Sequence, residues 1–217
     1  MGDPVWILLH ILVLVYWLGG DLGAFYASRL VAEEARPAAG RLAAASILMN
    51  VDMAPRMALI FAFPTGLALA VSRGWLELNF QWVWPAFAVA VVWAVVAWLV
   101  HLQAGPLGVV RRMDMAIRLT ALAGLLGAGA CMLAGWIAAP LFLAVKLLLL
   151  ALAIACGLLI RRALAPFGPA FAKLAAGEAG PAENAAIRAS LSHAKLYVLT
   201  IWAALLAAAA LGVYTPA

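Results

Sequence analysis

Charged residues are scarce in this sequence, and cysteine and histidine are scarcer still. Aspartate, glutamate, lysine and arginine make up 11% of the chain, whereas hydrophobic residues make up 68%. Soluble domains contain about 25% charged and about 45–50% apolar residues. A water-soluble fold of this length has no interior large enough for so much apolar surface. The composition therefore excludes a soluble globular domain and predicts an integral membrane protein.

Several motifs are also missing. The two cysteines, Cys131 and Cys156, both lie inside apolar runs, where a disulfide framework is not expected. There is no phosphate-binding loop, no HExxH zinc motif and no nucleophile elbow. The first apolar run lacks the preceding basic segment of a secretory signal and follows Asp3 instead. We therefore expect this run to be retained as the first helix.

Six apolar runs are long enough to cross a hydrocarbon core of about 30 Å as helices. Backbone polar groups must be paired within each segment in lipid, which favours helices for runs of this length. We predict an all-α polytopic membrane helical bundle of about six transmembrane helices, forming a single domain over residues 1–217. The expected spans are Pro4–Tyr26, Pro55–Val71, Trp82–His101, Ile117–Trp136, Pro140–Ile160 and Leu191–Tyr214.

Arginine and lysine are distributed unevenly between the connections. Of the 14 basic residues, all but Arg73 and Lys146 flank the first, third and fifth connections. Basic loops stay on the cytoplasmic side, so a multi-pass protein of the bacterial inner membrane with both termini periplasmic is predicted. The charges are spread over separate loops, and we therefore expect the partner surface to be the lipid bilayer and not a nucleic acid.

The chain contains an internal repeat. The string DMAPR at Asp52–Arg56 recurs as DMAIR at Asp114–Arg118, and each precedes an apolar run that ends in Gly-Trp, at Trp75 and Trp136. Two helical hairpins of like orientation are predicted, as in some transport folds. The simplest interpretation of the repeated Asp and Arg is that they satisfy the N-terminal groups of a helix. The predicted hairpins cover residues 52–113 and 114–175, approximately.

Two ionisable residues lie at similar depth in the outer leaflet. His10 and Lys146 are each about 9 Å inside their spans, and charge in lipid is costly enough to make each a functional candidate. His10 suits either an axial ligand of haem iron or a donor to a neighbouring helix. Lys146 suits either a cofactor contact or an ammonium that reaches the interface. Trp84 occupies the place of Lys146 in the first hairpin, so the architecture itself does not require a lysine.

Three further ionisable residues lie closer to the cytoplasmic side. Asp21 follows two glycines on the first helix, and we expect it to form a salt bridge with Arg56 or Arg118. His101 and His193 lie at the cytoplasmic ends of their spans, where histidine is common. They are secondary candidates for a metal ligand.

Methionines precede the second span at regular spacing. Met49, Met53 and Met57 follow an i, i+4, i+8 pattern, and Met113 and Met115 lie in the matching part of the repeat. Thioether sulfur is a soft ligand that suits Cu(I), so a copper path is one interpretation. Packing is the other, and it is the more common role of methionine in apolar interiors.

The first helix resembles that of a known family. His10 is followed after six residues by Trp17, then by glycines, and then by Phe25–Tyr26 and Arg29. This order resembles the opening of the HemJ-type protoporphyrinogen oxidases and the related CopD membrane proteins. These families form helical bundles, and the former bind haem b through a histidine of the first helix and oxidise a porphyrinogen.

A second stretch resembles the same family. Gly135–Trp136 is followed by Lys146–Leu147 and by an apolar run that closes with Arg161–Arg162. The resemblance implies a haem b ligated by His10, with Arg29 and Lys146 as catalytic or cofactor-binding residues. It also implies a quinone, a cytochrome or a porphyrin-like small molecule as redox partner.

The leading hypothesis from these patterns is an integral membrane b-type haem protein with a redox or electron-transfer role, and therefore a candidate membrane oxidoreductase. A copper or small-solute transporter is the first alternative, because parallel hairpin repeats occur in transport folds. A membrane-anchor subunit of a larger complex, or a homo-oligomer, is the second alternative, since the connecting segments are small.

The predicted threading is testable with reporter fusions after Arg112 and at the C-terminus. We expect a cytoplasmic reporter to be active only in the first fusion and a periplasmic reporter only in the second, because of the bias in basic residues. Finding both sites on the same side of the membrane would contradict the six-span topology.

Overall fold

The fold was examined in a computed structural model, which describes residues 3–102 and 108–214. This part of the chain is helical and contains no β-strand, which confirms the predicted all-α class. The helices are α1 Asp3–Ala32, α2 Ala38–Val51, α3 Met53–Ser72, α4 Val83–Leu102, α5 Gly108–Leu133, α6 Leu141–Ala163, α7 Phe167–Ala176 and α8 Pro181–Val213, with one turn of 3-10 helix at Phe80–Trp82.

Six helical segments are long and apolar enough to cross a bilayer, as predicted for a multi-pass membrane protein. They lie in α1, in α2 with α3, in α4 with the preceding 3-10 turn, and in α5, α6 and α8. The helices pack in the cyclic order α1, α3, α4, α5, α6 and α8, and α8 returns to contact α1. Trp17, Ala58, Cys156 and Ile201 are buried together where α1, α3, α6 and α8 meet.

The two ends of this bundle differ in chemistry. At one end the ring of Trp6 lies 5.7 Å from that of Phe80, and the ring of Trp75 lies 4.9 Å from that of Phe142. We call this the aromatic end. The opposite end, where α1 finishes and α6 closes with Arg161, is called the basic end. The sequence predicts that the aromatic end is periplasmic and the basic end cytoplasmic.

The two Gly-Trp sequences of the repeat have the same backbone geometry. Gly74 and Gly135 adopt φ of 72° and 76°, a left-handed conformation that favours glycine. The N–H of Trp75 donates to the carbonyl of Ala70 at 2.9 Å, and the N–H of Trp136 donates five residues back at the same distance. Both helices therefore end in a Schellman motif.

Two short helices at the basic end were not predicted from hydropathy. Helices α2 and α7 lie within the Ala-rich connections and pack with the adjoining ends of α1 and α8. Val31, Ala44, Leu174 and Ile187 form their buried cluster. Alanine has the highest helix propensity, and the left-handed Gly177 at φ 77° ends α7. We call this helical layer the cap.

A buried arginine holds the cap together. Arg41 of α2 is 2% exposed. Its Nε–H donates to the carbonyl of Val31 at 2.8 Å, and its Nη1 donates to Asn184 Oδ1 at 2.7 Å. The guanidinium therefore joins α2 to the end of α1 and to the start of α8.

Helices α1 and α3 approach closely at Gly20. A Cβ placed on Gly20 would lie 2.5 Å from Cδ of Pro55 and 3.1 Å from Cβ of Ala54. The neighbouring Gly19 faces open space, with nothing within 4 Å of the same ideal position. Only one glycine of this pair is thus required by the packing of the two helices.

We expect Gly20→Ala to lower the free energy of unfolding by about 1–3 kcal/mol, because the proline ring cannot move without its backbone. Gly19→Ala, the matched control, should change it by about 0.5 kcal/mol or less. Thermal unfolding of both variants in detergent measures the difference. Equal melting of Gly20→Ala and the unaltered protein would show that the helices are not in contact there.

Candidate functional site

His10 lies on α1 near the aromatic end and is half-buried between helices. Its Nδ1 lies 3.0 Å from Oγ1 of Thr65 on α3. The hydroxyl of Thr65 donates in turn to the carbonyl of Phe61 at 2.7 Å. Since the hydroxyl proton is used in that bond, Thr65 accepts from His10, and the imidazole proton is on Nδ1. Nε2 then carries the lone pair and has no hydrogen-bond partner in the described residues.

The residue after Thr65 allows this close approach. A Cβ placed on Gly66 would lie 3.2 Å from Cε1 of His10. That distance is shorter than an ordinary van der Waals contact, so a larger residue would press on the imidazole ring. Thr65 and Gly66 together fix the position and the tautomer of His10 from the same turn of α3. Neither residue was predicted as part of the site.

Lys146 of α6 lies at the same end of the bundle as His10, within range for its positive charge to act on the imidazole. Its Nζ also lies against α8, 2.7 Å from the position of a Cβ on Gly212, and 6.0 Å from the ring centre of Phe142. No carboxylate pairs with Lys146 among residues 3–102 and 108–214. The ammonium thus remains available to an anionic group.

No family model, curated protein or solved structure matches this chain at a significant level.

The other predicted site residues lie elsewhere. Arg29 is exposed on the last turns of α1, about 28 Å along the helix from His10. His101 is half-buried on the last turn of α4, with its ring 5.6 Å from that of Trp98. His193 is exposed on α8 towards the basic end. Of the predicted residues, only His10 and Lys146 are brought together.

The described residues contain no group of three or more His, Cys, Asp and Glu side chains placed to hold a metal ion. The methionine pattern is also divided by the fold. Met49 is on α2, whereas Met53 and Met57 are on α3, which begins after a break at Asp52. Met53 is buried and Met49 is exposed, so the three do not line one continuous helix face.

A carboxylate with hydrogen bonds to both of its oxygens lies at the basic end. Asp114 of α5 is 1% exposed and accepts hydrogen bonds from three side chains on three helices. Trp93 Nε1 donates to its Oδ1 at 3.2 Å, Arg118 Nε donates to its Oδ2 at 3.1 Å, and Arg161 Nη2 donates to its Oδ2 at 2.8 Å. The Arg118 guanidinium also lies over the Trp93 ring at 5.5 Å. All donors come from the protein, so this group has a structural role.

The helix-capping interpretation of the repeated Asp and Arg is wrong in both copies. Asp52 precedes α3, but its side chain makes no capping hydrogen bond. It accepts from Nε of Arg56 at 2.7 Å instead. Asp114 lies inside α5, beyond the first turn, and pairs with Arg118 four residues later. The repeat encodes an i, i+4 ion pair on each helix.

The expected salt bridge of Asp21 is also wrong. Arg56 and Arg118 each bind the aspartate four residues earlier, and Asp21 forms no ion pair within the described residues. The carboxyl of Asp21 instead faces that of Asp52 and the indole of Trp202. The Trp202 Nε1–H is buried and has no hydrogen bond of normal geometry with any described residue.

The two copies of the ion pair provide a matched test. Asp114→Asn removes the carboxylate charge from a 1% exposed site and leaves the buried guanidinium of Arg118 and the one-third exposed guanidinium of Arg161 without an acidic partner, so we expect it to destabilise the protein by about 3–5 kcal/mol. Asp52→Asn breaks a pair that is about one-third exposed, and it should cost about 1 kcal/mol or less. Chemical unfolding in mixed micelles compares the two. A larger loss for Asp52→Asn than for Asp114→Asn would refute the structural role assigned to Asp114.

Proposed function

We propose that this protein is an integral membrane b-type haem protein with a redox or electron-transfer role, with His10 as an iron ligand. The hydrogen bond between His10 Nδ1 and Thr65 is the observation that carries the proposal. Histidine ligands of metals commonly donate the other ring N–H to an oxygen acceptor, which sets the tautomer and orients the ring. Thr65 supplies that acceptor and leaves Nε2 free.

The residues around His10 fit the chemistry of this cofactor. A haem brings four ring nitrogens of its own, so one imidazole is sufficient to attach it to the chain. Its propionates need cationic partners, and the ammonium of Lys146, which has no acidic partner among the described residues, provides one at the same end of the bundle as His10. The absence of a side chain at Gly66 keeps that face of the imidazole uncrowded.

The cofactor would supply one-electron transfer at the level of His10, within the bilayer. The chain's own contribution is to orient the imidazole through Thr65 and to place a positive charge nearby through Lys146. Arg29 belongs to the opposite end of α1 and therefore is not assigned a role at this site.

A lipophilic redox partner has an approach route next to Thr65. A groove of about 400 Å³ opens between α1, α3 and α4, and Thr65, the hydrogen-bond partner of His10, forms part of its wall. Its other walls include Leu12, Phe61 and Phe87, which are apolar, and Tyr16, which is exposed. An apolar groove of this size suits a small hydrophobic ring compound. We therefore propose a quinone-type partner in preference to a soluble one.

The absorption spectrum of the purified protein tests this function. We expect a Soret band and a pyridine haemochrome of haem b, both lost in His10→Ala because Nε2 is removed. His101→Ala and His193→Ala are matched controls at the basic end and should keep the spectrum. Thr65→Val keeps the shape of the side chain but removes the acceptor, so it should lower haem occupancy without abolishing it.

Lys146→Met should retain haem but lower its reduction potential, since a nearby positive charge favours the reduced iron.

Purified protein that contains no haem after growth with excess haem precursor would refute the proposed function. An unchanged haem spectrum in His10→Ala would refute the ligand. Copper bound without haem would favour the transport alternative.

A further inference from the structure

A second cavity lies between α6 and α8 near the basic end, remote from His10. Its volume is about 490 Å³. Polar side chains from both helices line it: Arg162 from α6, and Ser192, His193 and Tyr197 from α8. Leu159 and Leu196 complete the lining. The cavity therefore has hydrogen-bond donors at one level and aliphatic side chains beside them.

The donors of this cavity are unpaired. Arg162, Ser192 and His193 are exposed, and they form no ion pair or side-chain hydrogen bond within the described part of the chain. Most other basic residues near this end are engaged: Arg36 with Glu33, Arg56 with Asp52, Arg161 with Asp114, and Arg188 with Glu34. Arg161 binds the buried carboxylate of Asp114, whereas its neighbour Arg162 faces the cavity.

The depth of the cavity matches a membrane boundary. Arg162 lies about 24 Å along the axis of α6 from Lys146, towards the basic end. Lys146 is itself about 9 Å from the start of the span. The hydrocarbon core is about 30 Å thick, so Arg162 and His193 lie at the headgroup level of the opposite leaflet. Leu159 is one helical turn closer to the bilayer centre. It is 41% exposed, and Leu196 is 67% exposed.

We propose that this cavity binds the phosphate headgroup of an anionic phospholipid. Arg162 supplies a guanidinium that matches phosphate geometry, and His193, Ser192 and Tyr197 supply further donors. Leu159 and Leu196 contact the first part of an acyl chain. Basic pockets between transmembrane helices at the cytoplasmic boundary suit such headgroups, whereas free phosphate would leave the aliphatic side without an occupant.

Native mass spectrometry of the delipidated full-length protein tests the site, with phosphatidylglycerol and phosphatidylcholine as probes. We expect phosphatidylglycerol to bind more tightly, and the double variant Arg162→Gln with His193→Gln to weaken it by about fivefold or more. Arg112→Gln is the matched control, because Arg112 is also exposed at the basic end and unpaired among the described residues. It should leave the affinity unchanged.

Equal affinity of the double variant and the unaltered protein for phosphatidylglycerol would overturn the proposal, as would equal affinity for the two lipids. A competition arm separates the sources of phosphate. Millimolar inorganic phosphate at constant ionic strength should displace little of the lipid, since the acyl chain contributes to binding. Complete displacement would instead identify a site for free phosphate and overturn the lipid assignment.

Discussion

Water is absent from the hydrocarbon core, and a polar side chain buried in the bundle therefore needs a partner within the protein or a ligand. Asp114 meets this constraint completely, because Trp93, Arg118 and Arg161 bring donors from α4, α5 and α6 to one carboxylate. The hydrogen bond between His10 and Thr65 joins α1 to α3. These contacts lie at opposite ends of the bundle and link five of its helices.

Asp114 and His10 differ in how many of their hydrogen-bonding atoms are occupied by partners in the protein. Both carboxylate oxygens of Asp114 are occupied by protein donors, so nothing remains for a ligand. His10 uses one ring nitrogen and retains the other, and Lys146 beside it has no acidic partner among the described residues. A ring nitrogen without a hydrogen bond and an ammonium without an acidic partner are costly inside a membrane. Their presence is the physical basis for proposing a cofactor there.

The sequence was sufficient for features that depend only on hydropathy along the chain. Hydropathy identified the six spans. It missed Thr65 and Arg161, because finding a partner on another helix requires the rotation and order of the helices. Helices α2 and α7 were missed because they are stabilised by an apolar cluster that joins residues far apart in the sequence, among them Val31, Ala44 and Leu174. The pairing of Asp21 was wrong for a local reason. Arg56 and Arg118 each have an aspartate four residues earlier in the chain, where an ion pair forms without positioning a second helix.

The length of α8 connects features that the chain places far apart. From Pro181 to Val213 it forms about 50 Å of uninterrupted helix, with no proline after its first residue. Its beginning is fixed in the cap through Asn184 and Ile187, and its end contacts Lys146 at Gly212. An uninterrupted helix transmits a displacement of one end to the other, so a tilt of the cap would shift Gly212 relative to the ammonium of Lys146 at the far end of the bundle.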